Sequence, residues 1–349
     1  MIGGFIVEGT SPRRIAIRVL GPSLVNFGLQ GVLPDPTLTL NSNGTDIATN
    51  DDWQTDSSSA TALRGANLGL SADLEPGLVR SLAPGGYTVI VGGKGTSTGV
   101  ALIEVYDLDK DDPLSTSRVV NLSTRGRVSG GENVMIMGFI IGGGAARDVL
   151  ITTIAGSLAE YGVTEALADP KIEIYASGGQ KIAESDDWID SPAFDTIART
   201  GASPRDPLES AAYLHLSPGG YTAVVSGVGG TQGVALPEVY EIRALRSIQF
   251  APTTLAGRTG KLAISTGASP DSLDFSFGAA GSATVNAGAA GTFSYVNTDD
   301  FRGTFSVDAG GYTVTGKLQF YRDKVAVFDG TLKKPGGTAQ TAGGILVLN

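Results

Sequence analysis

Apolar and polar residues alternate with period two over short runs. Examples are Arg14-Ile15-Ala16-Ile17-Arg18-Val19-Leu20, Thr37-Leu38-Thr39-Leu40 and Tyr87-Thr88-Val89-Ile90-Val91. Successive side chains of a strand face opposite ways, so this pattern predicts strands with one buried face. The runs are separated by Asn43-Gly44, Pro84-Gly85-Gly86, Gly178-Gly179 and Pro218-Gly219-Gly220, residues that accept positive φ or preset a turn. Helical patterning is confined to short stretches at 24–27, 158–161 and 194–198. A one-sided sheet must be covered by another layer, which predicts antiparallel sandwiches.

The pattern repeats. Leu20-Gly21-Pro22-Ser23-Leu24 falls on Ile154-Ala155-Gly156-Ser157-Leu158, and Leu33-Pro34-Asp35-Pro36 on Leu167-Ala168-Asp169-Pro170, both at an offset of 134. Asn50-Asp51-Asp52-Trp53 meets Ser185-Asp186-Asp187-Trp188 at 135, after a one-residue insertion in the preceding turn. The offset of 134 then returns for Pro84-Gly85-Gly86-Tyr87-Thr88 on Pro218-Gly219-Gly220-Tyr221-Thr222 and for Glu104-Val105-Tyr106 on Glu238-Val239-Tyr240. Solenoid units run about 20 to 50 residues, so a period this long means whole domains in tandem. From Arg246 onward there is no internal copy, yet six further period-two runs predict a small meander or barrel. The fold class read from the sequence is therefore all-β: two tandem homologous antiparallel, jelly-roll-like sandwiches at 1–112 and 113–243, then a smaller β-meander or barrel at 244–349. Residues 107–113 and 241–246 read as linkers. The chain opens inside the repeated unit, because Met1-Ile2-Gly3-Gly4-Phe5-Ile6 matches Met135-Ile136-Met137-Gly138-Phe139-Ile140. The expectation is a first copy lacking the counterpart of residues 118–134, as in a fragment, a processed chain or an internal start.

At these residues the repeat resembles a tandem module of secreted and cell-surface proteins of environmental bacteria. That module carries Asn-Leu-Ser-Thr-Arg-Gly, Gly-Gly-Phe, Leu-Gly-Pro-Ser-Leu, Asn-Asp-Asp-Trp, Pro-Gly-x-Tyr-Thr and Glu-Val-Tyr-Asp, and the likeness covers about 1–107 and 118–242. The stretch from Asp35-Pro36 through Asp51-Asp52-Trp53 to Pro84-Gly85-Gly86-Tyr87 also resembles the bacterial pre-peptidase C-terminal domain, a jelly-roll sandwich that accompanies secreted enzymes and has collagen-binding members. The resemblance implies an extracellular or cell-surface accessory, adhesive or structural role. The second copy departs from it, with Ala155-Gly156 for Gly21-Pro22 and Ser185 for Asn50.

Composition narrows the chemistry. Glycine is 50 of 349 residues, about twice the usual share, and much of it sits in the predicted corners. A net charge of −10 opposes binding to a phosphate backbone, which needs clustered cations, so nucleic acid is not expected as a partner. No apolar run reaches the length of a membrane-spanning helix. With no cysteine and one histidine, there is no disulfide, thiolate nucleophile or multi-histidine metal centre.

The sharpest local signal is Asp51-Asp52-Trp53 with Asp186-Asp187-Trp188. Adjacent carboxylates are hard oxygen ligands suited to Ca²⁺, provided that a turn brings both to one side. The competing reading is an aspartate capping the turn while Trp53 and Trp188 plug the ends of their sandwiches, rather than serving as binding residues. Asp107-Leu108-Asp109-Lys110-Asp111-Asp112 starts like an EF-hand loop but has Asp112 where glycine is required and Arg118 in place of the final glutamate. A serine hydrolase would need His215 as base, and it lies in a predicted strand where the first copy has Ser81. Ser23 lacks a nucleophile elbow, and Gly142-Gly143-Gly144 is followed by no Lys-Ser/Thr of a phosphate loop. No catalytic residues are assigned.

The function expected from the sequence is that of a non-catalytic extracellular structural or adhesive protein, with calcium as its candidate cofactor. Strand complementation could assemble it into homo-oligomers or fibres, with Ile345, Leu346, Val347 and Leu348 as the donor segment for the edge left by the missing first strand. The alternatives are a module binding extracellular polysaccharide or collagen beside a secreted enzyme, and a hydrolase built on two carboxylates.

Overall fold

The computed structural model describes residues 1–110, 116–131, 133–265 and 270–349. The chain divides into two compact units, one of Met1–Ser191 with Leu208–Arg243, the other of Pro192–Pro207 with Ala244–Asn349.

The first unit holds the sheets of both copies of the repeat, while residues 192–207 of the second copy belong to the second unit. Copy one comprises β1 (Ile2–Glu8), β2 (Arg13–Leu20), β3 (Pro36–Ser42), β4 (Thr45–Asn50), β5 (Gly77–Leu82), β6 (Gly85–Gly93) and β7 (Leu102–Asp107). Its two sheets run β4-β3-β6-β1 and β5-β2-β7. Alternate residues of both meet in one core, including Phe5, Ile15, Ile17, Leu38, Leu40, Leu78 and Val89. Copy two comprises β8 (Arg118–Val128), β9 (Met135–Ile141), β10 (Arg147–Ile154), β11 (Pro170–Ala176), β12 (Lys181–Ser185), β13 (Ser210–Leu216), β14 (Gly219–Gly227) and β15 (Gly233–Glu241). Its sheets run β12-β11-β14-β9 and β13-β10-β15-β8, so each strand after β8 has its counterpart in copy one.

One strand belongs to both copies. β8 pairs antiparallel with β15 (Leu122 opposite Val239) and, on its other side, with β1 (Leu122 opposite Phe5). The result is one eight-stranded sheet that runs from β13 to β4 through both sandwiches. Arg118 fastens the end of β8 to the Glu241 carboxylate with bonds of 2.6 and 2.7 Å.

The repeated Pro-Gly-Gly-Tyr is a corner. Tyr87 Oη donates to the Ala83 carbonyl at 2.7 Å and Tyr221 Oη to the Ser217 carbonyl at 2.8 Å. The rings stack on Phe5 and Phe139 at 5.3 and 5.5 Å, so the polar tip is satisfied while the ring stays apolar.

A helix that period counting misses, α1 (Ser57–Gly65), covers the outer face of β5-β2-β7. Three serines open it and read as loop, but Asp56 caps the Ser58 and Ser59 amides, and tertiary contacts of Ala60 and Leu63 hold it in place. The stretches expected at 24–27 and 158–161 are short 3₁₀ turns, Pro22–Phe27 and Gly156–Tyr161, while that near 194–198 is α2 (Phe194–Thr200).

The second unit contains a closed barrel of eight strands in meander order. They are β16 (Thr259–Ser265), β17 (Pro270–Phe277), β18 (Ser282–Val285), β19 (Gly291–Asn297), β20 (Arg302–Ala309), β21 (Tyr312–Arg322), β22 (Val325–Lys333) and β23 (Gln340–Leu348). Phe275, Phe277, Phe305, Phe320 and Phe328 fill its inside. Closure overturns the donor-strand expectation for Ile345, Leu346, Val347 and Leu348. They lie in β23, paired with β16 on one side and β22 on the other, with Leu346 fully buried. A strand whose two edges are both bonded within its own barrel has none left to donate. Within the same unit α2 packs Phe194 edge-on against Phe301 at 5.7 Å, and Arg302 reaches Asp195 at 2.8 Å.

Candidate functional site

The turn that both aspartates require is present. After β4 the chain folds back through Asp52, whose carbonyl accepts from the Thr55 amide at 3.0 Å and from Asn50 Nδ2 at 3.1 Å. Asp51 and Asp52 thereby reach Asp35, which precedes β3, and the three carboxylates offer oxygens within 4.8 Å of one another. Asp169, Asp186 and Asp187 form the same triad in copy two. Oxygens that share a Ca²⁺ at 2.3–2.6 Å lie at most about 5 Å apart, so either triad has the spacing to hold one divalent cation. The sequence reading named the Asp-Asp pairs and missed Asp35 and Asp169. The signal was the Asp-Pro shared at the offset of 134, but nothing local ties it to residues some 16 positions later.

The two triads differ in one neighbour. Lys94 Nζ lies 2.6 Å from Asp51 and 3.7 Å from Asp35, and its counterpart in copy two is Val228. The hydrogen bond to Asp51, then the charge of Asp35, hold the Lys94 ammonium above its ordinary value. Even so, Oδ1 of Asp35, Asp51 and Asp52 is buried without a hydrogen-bond partner. Copy one thus carries an ammonium where copy two has an apolar side chain.

Each copy also holds a buried glutamate. Glu75 is fully buried, and its Oε1 accepts from the amides of Gly21 and Ser23 at 2.9 Å and from Ser23 Oγ at 2.6 Å. Glu209 repeats the arrangement with the Ala155 and Ser157 amides and Ser157 Oγ, at 2.7, 3.0 and 2.6 Å. The carbonyl of each glutamate accepts the amide of Trp53 or Trp188 at 2.9 Å, which joins this lock to the acidic turn. Ser23 and Ser157 are therefore loop anchors. The change of Gly21-Pro22 to Ala155-Gly156 is neutral to the lock because it uses a backbone amide. Asn50 Oδ1 accepts the Gly77 amide at 2.8 Å, and Ser185 Oγ takes the matching Ala211 amide at 3.0 Å.

The tryptophans are buried, at 5 % and 0 % exposure, which removes them as a stacking platform for a ligand. Trp53 does not plug the end of its sandwich. It packs on Ala16, Ala60, Leu63 and Leu70 over the outer face of β2, with the Arg64 guanidinium 4.6 Å above its ring. His215 stands on β13 with Nδ1 2.8 Å from Asp148 Oδ1, the imidazole exposed and the carboxylate half-buried. In the acidic run after β7, Asp107 and Asp109 are engaged by Arg13 and Arg14, both at 2.8 Å. Asp111 and Asp112 lie outside the described residues.

A further asymmetry titrates. Arg18 pairs with Glu104 in copy one, whereas copy two has Thr152 facing Glu238. Burial pushes the Glu238 carboxyl up against the lowering effect of its bond from Tyr240 Oη, and the Glu209 charge raises it further. A carboxyl that ionises less readily when folded supports the fold fully below its ordinary range, near 4.3, and loses that support as pH climbs through the raised folded value. Glu238→Gln keeps an acceptor for Tyr240 and does not titrate. It is expected to raise the melting temperature at pH 7.5, with the gain shrinking to nothing near pH 4; an equal gain at both pH values in scanning calorimetry would refute this.

No protein-family model matches the chain, and no curated protein matches it. Among solved structures, the pre-peptidase C-terminal domain of a collagenase from Bacillus anthracis is a β-rich neighbour. It shares 15 % identity, covers 34 % of this chain and 89 % of its own length, and has a TM-score of 0.23. The fold is all-β, and no described helix is long and apolar enough to cross a membrane.

Proposed function

We propose that this chain is a non-catalytic extracellular structural or adhesive protein whose repeated sandwiches bind calcium at their acidic turns. The observation that carries the reading is the shared strand: β8 is bonded to β15 and to β1, so two modules form one sheet, an arrangement suited to passing tension along a surface array. The polar groups repeated between copies support it, since Glu75, Ser23 and Asn50 with their counterparts spend their bonds on holding loops. Calcium at Asp35, Asp51 and Asp52, and at Asp169, Asp186 and Asp187, would tie the turn after the fourth strand of each sandwich to the loop before the third.

Light scattering and negative-stain imaging of the purified chain in millimolar calcium and in EDTA test this reading, together with retention on insoluble collagen and polysaccharide. Ordered assemblies or matrix retention that EDTA abolishes are expected. A monodisperse monomer, retained on nothing and indifferent to EDTA, would overturn the proposal.

A further inference from the structure

The shared strand also leaves an imprint where it is absent. β9 is the copy-two counterpart of β1: both pair on one side with the equivalent strand, β14 or β6. The other side of β1 carries β8, whereas β9 ends its sheet and has no strand on that side among the described residues. Gly4 of β1 has a reason to be glycine, because a Cβ there would stand 2.5 Å from Ser123 Oγ of β8. Gly138 keeps the glycine at the matching place in β9, where a Cβ would meet nothing nearer than Tyr221 O at 3.9 Å. A glycine inside a strand weakens it and is commonly kept for a bulge, a bend or close approach by another backbone. Ile140 is 74 % exposed while its counterpart Ile6, beside β8, is 38 % exposed. β9 reads Met-Ile-Met-Gly-Phe-Ile-Ile, without the lysine, proline or other charge that normally guards an open edge.

We infer that the free edge of β9 is a docking site for a strand of the β8 type presented by another polypeptide, paired antiparallel so that Gly138 faces a serine, Phe139 a leucine and Ile140 an asparagine. This register copies Gly4 with Ser123, Phe5 with Leu122 and Ile6 with Asn121. The occupant is an extended segment with the pattern of Arg118–Val128, since that segment already satisfies the equivalent edge. The inference deepens the structural reading above by supplying the contact through which modules of different chains would join.

The test uses the whole chain and a labelled synthetic peptide, Arg-Val-Val-Asn-Leu-Ser-Thr-Arg-Gly-Arg-Val. Saturable one-to-one binding by fluorescence anisotropy is expected, with slowed amide exchange confined to β9. Peptides N-methylated at single positions from the asparagine to the glycine are expected to bind about tenfold more weakly wherever a main-chain bond is lost. Gly138→Val has room to fold, which circular dichroism checks, and is expected to abolish binding by closing the space for the serine. No binding, binding unaffected by Gly138→Val, or protection at β7 instead of β9 would overturn the inference. Because the peptide needs no assembly, failure here leaves the calcium and EDTA result to judge the structural reading separately.

Discussion

Replacing Glu75 with alanine is expected to lower the stability of the first unit by about 3–5 kcal/mol, read from the midpoint of equilibrium denaturation in urea. One carboxylate oxygen accepts two amides and a hydroxyl in a site without solvent exposure. Truncation removes three hydrogen bonds and strands their donors, and each orphaned buried group costs roughly 1–3 kcal/mol. Ser23→Ala removes one bond and leaves the two amides satisfied, so it is expected to cost about 1 kcal/mol. Glu209→Ala should behave like Glu75→Ala, because the same three bonds recur. A midpoint for Glu75→Ala within the scatter of surface substitutions, about 0.5 kcal/mol, would mean that the lock contributes little.

Calcium is expected to raise the stability of the same unit by about 2.7 kcal/mol for each triad it occupies, when present at a hundred times that triad's dissociation constant and provided that only the folded chain binds it. Asp52→Asn and Asp187→Asn should each remove one binding event by titration calorimetry, since each deletes a charge from a three-carboxylate set. Lys94→Met is the more discriminating variant. With the ammonium gone, the first triad should bind calcium more tightly than in the parent chain, while the variant should be less stable than the parent in EDTA through repulsion among Asp35, Asp51 and Asp52. Superimposable melts in calcium and EDTA for the parent and for Lys94→Met would end the case for a calcium role.

Much of the fold is legible in the sequence. Strand alternation is local, so Ile15, Ile17, Leu38 and Leu40 announce their buried face within a few residues. The offset of 134 compares the chain with itself, so the tandem copies, the corner tyrosines and the paired Asp-Asp-Trp turns follow without knowledge of any contact. In the candidate site the same comparison reached Asp51, Asp52, Asp186 and Asp187. It matched Asp35 with Asp169 but tied neither them nor Glu75 and Glu209 to the site, because which carboxylates converge depends on how distant loops pack.

Three features were decided only by the folded chain, each through a pairing between segments far apart in sequence. A period-two pattern marks a strand's faces and is silent about its edges, where backbone amides and carbonyls carry no residue-specific signal. That is why Ile345 to Leu348 reads equally well as a donor and as the strand that closes the barrel against β16. It is also why β8 could not be seen to serve two sandwiches, or β9 to lack what β1 has. The third is α1, whose weak helical pattern acquires meaning when Ala60 and Leu63 settle beside Trp53 on the face that β2 leaves uncovered. Local alternation determines what is buried, and long-range closure determines which edges meet.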